Sequence, residues 1–446
     1  MQLNIINSKL LEGDLNIPEM FPHLALLKES PYVFKINFGL NELPAEPGIL
    51  LIRGARQYGK STWLEQEIYN TIKKFGAGTA FYLNGEYLLE ADKLELAIQD
   101  LLPLFPKNAL VKRIFIDEIT AIPNWEIALK RLADSGKLSK ILIITTGSKA
   151  TDLRRGAEKL PGRKGKLPRT TFLFSPISYK EFHRVCGKKL GQKTLLSYLI
   201  SGGSPIACSE LAAHGIIPEY VIELIHDWIE GEIVRSGRSR VALSNTINSI
   251  LHFGSTPVGQ AKLARESGLA NNTVAAGYIE LLNDLGCICP AYPWDQHKNI
   301  LILRKPCKYH ITNLLLAITW HKSRIRRPEE FLQLPEQTQG IWYEWLVSQE
   351  FQRREAMLQN KILMPQAFWQ NKEHEIDFIE NGKTFIEVKR GKCSPLEFSW
   401  FARQFPKKTL IVINEKPFQT DNIRGITLED FLLENIWTTT RVTPTD

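Results

Sequence analysis

The segment from residue 54 to residue 61 has the residue types and spacing needed to bind phosphate. It reads Gly-Ala-Arg-Gln-Tyr-Gly-Lys-Ser and matches the pattern G-x-x-x-x-G-K-[S/T]. Glycines allow backbone N–H groups to turn inward around phosphate oxygens, and a helix that begins at Lys60 would add the partial positive charge of its N-terminus. The apolar stretch Gly48–Arg53 precedes the motif and a helical pattern follows it, as the motif requires. The pattern therefore predicts a nucleotide-phosphate site.

Each residue of this segment has a predicted part in binding ATP and Mg²⁺. Lys60 would contact the terminal phosphates and act in catalysis, while the hydroxyl of Ser61 would help to hold Mg²⁺. The predicted nucleotide-binding residues of the segment are Gly54, Ala55, Arg56, Gln57, Tyr58, Gly59, Lys60, Ser61 and Thr62.

Polar residues also end the two apolar strands predicted further along the chain. Asp117 would hold Mg²⁺ through water and contribute to the nucleotide site, and Glu118 would act as the general base that polarises the attacking water. The hydroxyls of Thr146 and Ser148, at the end of the next strand, would sense the terminal phosphate or orient the water. Together with the phosphate-binding segment, these residues predict ATP hydrolysis.

A strongly basic segment follows these strands. Residues 149–193 contain thirteen Lys or Arg and three Asp or Glu, a net charge of +10 in a chain whose total is +8. Such a segment fits a polyanion, either the bound nucleotide or nucleic acid, and it fits a solvated basic loop equally well. Within it, Arg163 is the predicted catalytic group that stabilises charge in the transition state, with Arg154 and Arg155 as alternatives.

Strand-like and helix-like segments alternate between residues 47 and 146, which predicts an α/β fold with a parallel sheet and helices on its faces. Parallel strands end at the same edge of a sheet, so this arrangement would bring the phosphate-binding segment next to Asp117. The predicted strands are Gly48–Arg53, Gly78–Leu83, Lys112–Asp117 and Lys140–Thr146, and the predicted helices between them are Lys60–Phe75, Leu88–Leu102 and Pro123–Ser135.

The middle of the chain is mainly helical and contains a candidate DNA-binding element. The stretches Gly259–Ser267 and Asn272–Leu285 predict a helix-turn-helix, and two short β stretches after it predict a winged helix. Asn272 is the predicted cap of a recognition-like helix whose first residues would reach base edges, and Lys262 and Arg265 would contact phosphates. A protein contact or a spacer explains the same pattern equally well.

Six short motifs occur in the N-terminal part of the chain: Gly54–Ser61, Phe115–Glu118, Pro123–Trp125, Thr146–Ser148, Pro161–Arg163 and Ser175–Phe182. This set resembles the AAA-type ATPases of prokaryotes. The resemblance covers most of the chain and implies an AAA-like core at 1–175, a helical lid at 176–240, a winged helix at 241–312 and a nuclease-like α/β domain at 313–446. Ser61 stands where this family commonly has threonine and still suits Mg²⁺, whereas Thr120 stands where it often has glutamine.

The C-terminal part carries Glu344 in an apolar helical segment, followed by Asp377 and by Glu387-Val388-Lys389. An unpaired carboxylate is unusual beside an apolar helical face. The pattern D…E-x-K resembles the core of PD-(D/E)XK nucleases. The resemblance implies that Glu344, Asp377, Glu387 and Lys389 meet at one Mg²⁺ ion, which would activate water and neutralise the scissile phosphate.

A hairpin around Gly382 decides whether these residues share a face. Residues two apart on a strand point to the same side, so Glu387 and Lys389 do so. A two-residue loop would turn Asp377 to the opposite side. A three-residue loop with Gly382 in the left-handed conformation would pair Asp377 with Phe385 and place all three residues on one face. We predict the three-residue loop.

Composition and hydropathy indicate a globular, cytoplasmic protein without a membrane span. Apolar residues make up 43% and charged residues 23% of the chain. No stretch approaches the ~20 apolar residues that cross a bilayer, and the N-terminus lacks the features of a signal peptide. We predict a protein that hydrolyses ATP and forms a homo-oligomer. It would associate with double-stranded DNA or another nucleic acid, and nucleotide-driven switching would be coupled to the nuclease-like domain. The alternative is a regulatory ATPase whose C-terminal domain is inactive and docks a protein partner.

Overall fold

The computed structural model describes residues 2–148, 156, 158–358, 365–380 and 382–433. The chain divides into two compact units, one of residues 1–176 with 355–362 and the other of residues 177–354 with 363–446. We call them the N-terminal and the C-terminal unit. None of the helices in the described part of the chain is long and apolar enough to cross a membrane.

The α-helices, numbered in chain order, are α1 Gln2–Glu12, α2 Ile17–Met20, α3 Pro22–Glu29, α4 Lys60–Phe75, α5 Ala91–Leu101, α6 Trp125–Asp134, α7 Tyr179–Leu190, α8 Thr194–Ser201, α9 Pro205–His214, α10 Glu219–Arg235, α11 Arg240–Phe253, α12 Gln260–Glu266, α13 Asn272–Asp284, α14 Leu314–Trp320, α15 Pro328–Phe331, α16 Glu336–Met357, α17 Phe401–Gln404 and α18 Leu428–Leu433. The strands are β1 Gly48–Arg53, β2 Ala80–Asn84, β3 Arg113–Asp117, β4 Leu142–Gly147, β5 Thr171–Leu173, β6 Ile288–Asp295, β7 Ile300–Leu301, β8 Lys308–Ile311, β9 Gln366–Gln370, β10 Glu375–Ile376, β11 Phe378–Glu380, β12 Thr384–Val388, β13 Thr409–Ile413, β14 Phe418–Gln419 and β15 Ile423–Ile426.

A five-stranded parallel sheet forms the centre of the N-terminal unit, in the order β2-β3-β4-β1-β5. Helices α5 and α6 pack on one face, and α1, α3 and α4 pack on the other. Every residue of β1, β3 and β4 is therefore buried, as expected for strands covered on both faces. The predicted α/β fold with a parallel sheet is confirmed. Strand β5 was not predicted, because three residues carry too little pattern to be recognised.

The strand ends lie level with one another at the edge where the phosphate-binding segment begins. Asn84 pairs with Asp117, and Arg53 pairs with Gly147. Helix α4 begins at Lys60 directly after Gly59, which has a φ of +94°. This left-handed conformation favours glycine and turns the chain sharply from the loop into the helix.

The predicted helix-turn-helix corresponds to α12 and α13, which are separated by a turn at Gly268 with a φ of +66°. The prediction that Asn272 caps the second helix is wrong by one residue. Asn271 is the cap, because its Oδ1 accepts a hydrogen bond from the N–H of Val274 at 3.0 Å. Asn272 is the first residue of the helix itself.

The strands that follow α13 belong to a mixed sheet with the order β10-β9-β6-β7, in which β8 also pairs with β6. Strand β6 runs antiparallel to β7 and β8 and parallel to β9. We did not predict β8 or β9. The sheet joins strands from both sides of residue 312, where we placed a domain boundary.

A second sheet of the C-terminal unit has the order β11-β12-β13-β15-β14. Glu380 pairs with Thr384, so three residues separate the paired strands, and Gly382 has a φ of +62°. The predicted three-residue loop is confirmed, but the predicted pairing of Asp377 with Phe385 is wrong by two residues. Because the shift is even, it leaves the side chains of the paired strands on the predicted faces.

Candidate functional site

The phosphate-binding segment forms a loop that encloses the ammonium group of Lys60. Gln57 and Gly59 have left-handed backbone conformations, with φ values of +61° and +94°. Lys60 is 6% exposed, and its Nζ donates hydrogen bonds to the carbonyl oxygens of Gly54 at 2.9 Å and Ala55 at 2.7 Å. The ammonium is thus held inside the loop that phosphate oxygens would enter.

Ser61 and Asp117 supply oxygen atoms beside this loop. The buried Asp117 carboxylate accepts hydrogen bonds from the side chains of Thr146 and Ser61. Burial raises the pKa of Asp117 above its ordinary value, although both hydrogen bonds act in the opposite direction. A hydroxyl and a carboxylate are hard oxygen donors of the kind that Mg²⁺ prefers, so this pair fits the predicted metal.

Glu118 lies next to Asp117 and is held by the end of β4. Its backbone has a φ of +48°, and its N–H lies 3.1 Å from Asp117 Oδ1 and 3.2 Å from Thr146 Oγ1. Its Oε2 accepts hydrogen bonds from the N–H of Ser148 at 3.1 Å and from the Ser148 hydroxyl at 3.0 Å. Arg56 Nε lies 3.5 Å from the same hydroxyl. The structure therefore brings Arg56, Glu118, Thr146 and Ser148 together.

Gly85 is a residue of this site that the sequence analysis missed. A Cβ atom at Gly85 would lie 2.4 Å from the carbonyl oxygen of Glu118 and 3.2 Å from the Cα of Ile119. The backbone after β2 therefore packs directly against the backbone that carries the predicted base. The available signal was a glycine directly after a strand end, where close backbone approach is common.

Replacing Gly85 with alanine should lower the free energy of unfolding by about 1–3 kcal/mol, because the added methyl group must displace the Glu118 backbone. ATP hydrolysis should fall with it. Thermal unfolding and phosphate release measure the two effects. Gly231→Ala is the matched control, since the nearest atom to its Cβ is the guanidinium at the far end of the Arg235 side chain, at 3.4 Å. Equal behaviour of the two variants would contradict the packing argument.

Arg163 does not lie at this site in its own chain. Its Nε donates to Asp134 Oδ1 at 2.6 Å, and Gly165 forms a β-bridge with the first residue of β1. The phosphate-binding loop follows the last residue of β1, about 20 Å away along the strand. The structure therefore does not place Arg163 beside the phosphate-binding loop of its own chain. Its catalytic role, on the nucleotide of the same chain or of a neighbouring copy, stays a prediction. Arg154 and Arg155 lie outside the described residues.

The four predicted residues of the C-terminal site lie close together in the structure. Glu344, Asp377 and Glu387 are each less than a tenth exposed. Asp377 Oδ2 accepts a hydrogen bond from the N–H of Val388 at 2.9 Å, and Lys389 Nζ lies 2.7 Å from Glu387 Oε1. We call these four residues, together with Lys308, His310 and Glu375, the acidic cluster.

Lys308 is a central member of the acidic cluster that the sequence analysis missed. Its Nζ donates hydrogen bonds to Glu344 Oε1 at 3.0 Å and Asp377 Oδ1 at 3.1 Å. His310 Nε2 lies 3.0 Å from the same Glu344 oxygen. Both residues lie on β8, every residue of which is buried. The available signal was a lysine and a histidine two residues apart among apolar neighbours, which puts both on one face of a strand.

Opposite charges determine the protonation of the cluster. Burial lowers the pKa of Lys308, but the charges of Glu344, Asp377 and Glu375 outweigh it and hold that pKa well above its ordinary value. Burial raises the pKa of Glu344, but Lys308 and His310 outweigh it and leave that pKa below its ordinary value. Burial and the charge of Glu344 raise the pKa of Asp377 to about 6. Lys308 is therefore charged at neutral pH.

Comparisons with known proteins give a family model and several relatives to which this chain is similar. Residues 46–183 match the family model of the AAA domain. A relative in Methanocaldococcus jannaschii, named Uncharacterized protein MJ1544, is 24% identical in an alignment of 371 positions that covers 76% of this chain and 74% of the relative. The Walker-type ATPase PABY2304 of Pyrococcus abyssi aligns over 67% of this chain and 95% of its own, with 13% identity and a TM-score of 0.42. The ORC1 protein of Aeropyrum pernix in complex with DNA aligns over 67% and 91%, with 13% identity and a TM-score of 0.33. Residues 46–183 are thus similar to the AAA domain, and their parallel sheet agrees with that similarity.

Proposed function

We propose that this protein binds ATP with Mg²⁺ and hydrolyses it at the carboxyl edge of the N-terminal sheet. The observation that carries the proposal is the meeting of four side chains in one small region. Lys60 lies inside the phosphate-binding loop, the Ser61 hydroxyl contacts Asp117, and Glu118 follows directly. The match of residues 46–183 to the AAA domain supports the same function.

Each of these residues would have a distinct part in the reaction. Ser61 and Asp117 would hold Mg²⁺, which neutralises charge on the phosphates when bound. Lys60 would exchange its loop carbonyls for oxygens of the terminal phosphate. Glu118 would accept a proton from the water that attacks the terminal phosphorus, while the bond to the bridging oxygen breaks and ADP leaves. Ser148 donates two hydrogen bonds to Glu118 and keeps its carboxylate in position.

The proposal is tested by measuring phosphate release from ATP by the purified chain, with Mg²⁺ and after removal of Mg²⁺ by EDTA. We expect hydrolysis that requires Mg²⁺ and stops with EDTA. ATP binding without any hydrolysis would contradict the assignment of Glu118 as a base. A chain that neither binds nor hydrolyses ATP would contradict the whole proposal.

We further propose that the helix-turn-helix of α12 and α13 contacts double-stranded DNA. The first turn of α13, residues 271–274, is exposed, and so are Lys262 and Arg265 on α12. Asparagine and threonine side chains can read base edges, while lysine and arginine contact phosphates. Nucleotide-driven switching in the AAA-type domain would then be coupled to DNA binding.

The double variant Lys262→Ala/Arg265→Ala should bind DNA more weakly than the wild type at low salt. The slope of log affinity against log salt concentration should become shallower by about 2, because about 0.9 of that slope is lost with each phosphate contact. Fluorescence anisotropy over a salt series measures both quantities. The charge-matched control is Lys130→Ala/Lys137→Ala, which removes two exposed lysines of the N-terminal unit. An equal slope in both variants would contradict DNA contact by α12.

Two roles are open for the nuclease-like C-terminal part in this function. In the first, Glu344, Asp377, Glu387 and Lys389 would cut or grip nucleic acid with Mg²⁺. In the second, the part would be an inactive module that docks a protein partner, and the position of Lys308 between the acids favours it. Cleavage of DNA or RNA with Mg²⁺ or Mn²⁺ that is lost in Asp377→Ala would support the first role.

A further inference from the structure

Three carboxylates surround the ammonium group of Lys308 in the C-terminal unit. Its Nζ lies 2.5 Å from Glu375 Oε1, 3.0 Å from Glu344 Oε1 and 3.1 Å from Asp377 Oδ1. The Lys308 side chain is 1% exposed. The contacts with Glu344 and Asp377 are charge-assisted hydrogen bonds, the contact with Glu375 is an ion pair, and the ammonium is shielded from water.

A divalent metal that bridges Glu344 Oε1 and Asp377 Oδ1 would need the position that Nζ of Lys308 occupies. Mg²⁺ binds oxygen at about 2.0–2.1 Å in a nearly octahedral arrangement, so Glu344 and Asp377 would have to point their oxygens at one shared position. Nζ of Lys308 lies between them instead. Asp377 also accepts from the N–H of Val388, and Glu344 is in contact with His310. The cluster therefore does not fit the Mg²⁺ ion that the nuclease resemblance implies.

The arrangement of possible metal ligands in the chain also disagrees with a bound Mg²⁺ ion. Within residues 2–433, leaving aside the segments that the structure does not describe, no group of three or more His, Cys, Asp or Glu side chains has the arrangement to hold a metal ion. Glu344, Asp377 and Glu387 are buried in one cluster without forming such a group. An ammonium between the acids accounts for this spacing.

The pairing of β8 in the sheet fixes the position of the Lys308 backbone. Strand β8 pairs with β6 and puts Lys308 opposite Ala291, and β6 pairs in turn with β9. On β9, the ring centroid of Phe368 lies 5.3 Å from Nζ. Moving the ammonium out of the cluster would leave buried carboxylates without their counter-charge, which is strongly unfavourable. The ammonium group of Lys308 therefore stays inside the cluster.

We propose that the ammonium group of Lys308 is a built-in cation that takes the place of a divalent metal in the acidic cluster. Glu344, Asp377 and Glu387 then belong to a structural centre, and the C-terminal unit does not cleave nucleic acid. This inference deepens the second role proposed for the C-terminal part. It does not depend on ATP hydrolysis or on the identity of a docking partner.

Mn²⁺ binding to the nucleotide-free chain, measured by electron paramagnetic resonance, tests this proposal. The wild type and Asp377→Asn should bind the same amount of Mn²⁺, because the acidic cluster of the wild type provides no Mn²⁺ site. Lys308→Ala should gain one Mn²⁺ site, and Lys308→Ala/Asp377→Asn should lose it again. Lys389→Ala is the matched control, since it removes a lysine of the same cluster and leaves Lys308 in place, and it should gain no site.

Thermal unfolding gives a second readout. Lys308→Ala should lower the Tm by more than ~5 °C, because it leaves buried carboxylates unpaired. Mn²⁺ should restore part of this loss in Lys308→Ala and leave the wild-type Tm unchanged. Two results would overturn the proposal: a wild-type Mn²⁺ site that requires Asp377, or a folded Lys308→Ala chain that gains none. The wild-type measurement decides the question even if the variant does not fold.

Discussion

Replacing Lys60 with alanine should reduce ATP hydrolysis by at least about 10²–10³-fold, the usual cost of removing a group that stabilises charge in the transition state. The ammonium is the buried cation of the phosphate-binding loop, within 2.9 Å of two of its carbonyl oxygens. Without it, the terminal phosphate would lose its protein counter-charge. Phosphate release under saturating ATP and Mg²⁺ measures the loss.

The control for this experiment is Lys73→Ala, which removes an exposed lysine from the last turn of the same helix. It should hydrolyse ATP within about twofold of the wild type, since surface changes away from a site have little effect. Circular dichroism and thermal unfolding of Lys60→Ala establish that the loop variant is folded. A folded Lys60→Ala chain with wild-type turnover would refute the assignment of the nucleotide site.

Replacing Glu118 with glutamine should lower kcat for ATP hydrolysis by about 10²–10⁴-fold, the usual contribution of a general base. The affinity for ATP should change little, because an amide oxygen at this position can still accept the two hydrogen bonds from Ser148. The variant should therefore hold ATP without turning it over. Binding of a fluorescent ATP analogue and single-turnover hydrolysis separate the two effects.

Glu86→Gln is the matched control for Glu118→Gln, because Glu86 is an exposed glutamate in the turn that follows β2. It should leave both kcat and ATP affinity unchanged. If Glu118→Gln instead weakens ATP binding and hydrolysis by the same factor, the residue positions the nucleotide rather than the water. That outcome would remove Glu118 from the role of base and leave the nucleotide site in place.

Local sequence signals were sufficient to predict four of the five strands of the N-terminal sheet and the phosphate-binding loop. The helix bounds Lys60–Phe75 follow from glycines on both sides, and β1 follows from an apolar run of six buried residues. The position of Arg163 could not be predicted in this way. Its contact with Asp134 depends on how the chain returns to the start of β1 after residues 149–155, and residue spacing does not record that path.

The acidic cluster shows which features strand periodicity can predict and which it cannot. Strand periodicity put Asp377, Glu387 and Lys389 on one face even though the hairpin register was wrong by two residues, because only the parity of the register matters for the face. Lys308 was missed for a different reason. It lies 36 and 69 residues from its partners Glu344 and Asp377, on a strand of four residues that was not predicted. Contacts of this range arise from tertiary pairing and leave no periodic signal.

The parallel pairing of β6 with β9 has a consequence for how this protein can be divided. A fragment that begins at residue 313 would lack β6 and β8, so β9 would become an open sheet edge, a common cause of aggregation. The same cut would remove Lys308 and leave Glu344 and Asp377 buried without the ammonium that both of them contact. The segment with β6 and β8 and the part of the chain after residue 313 are therefore not interchangeable modules, and recombination between related genes would have to exchange both together.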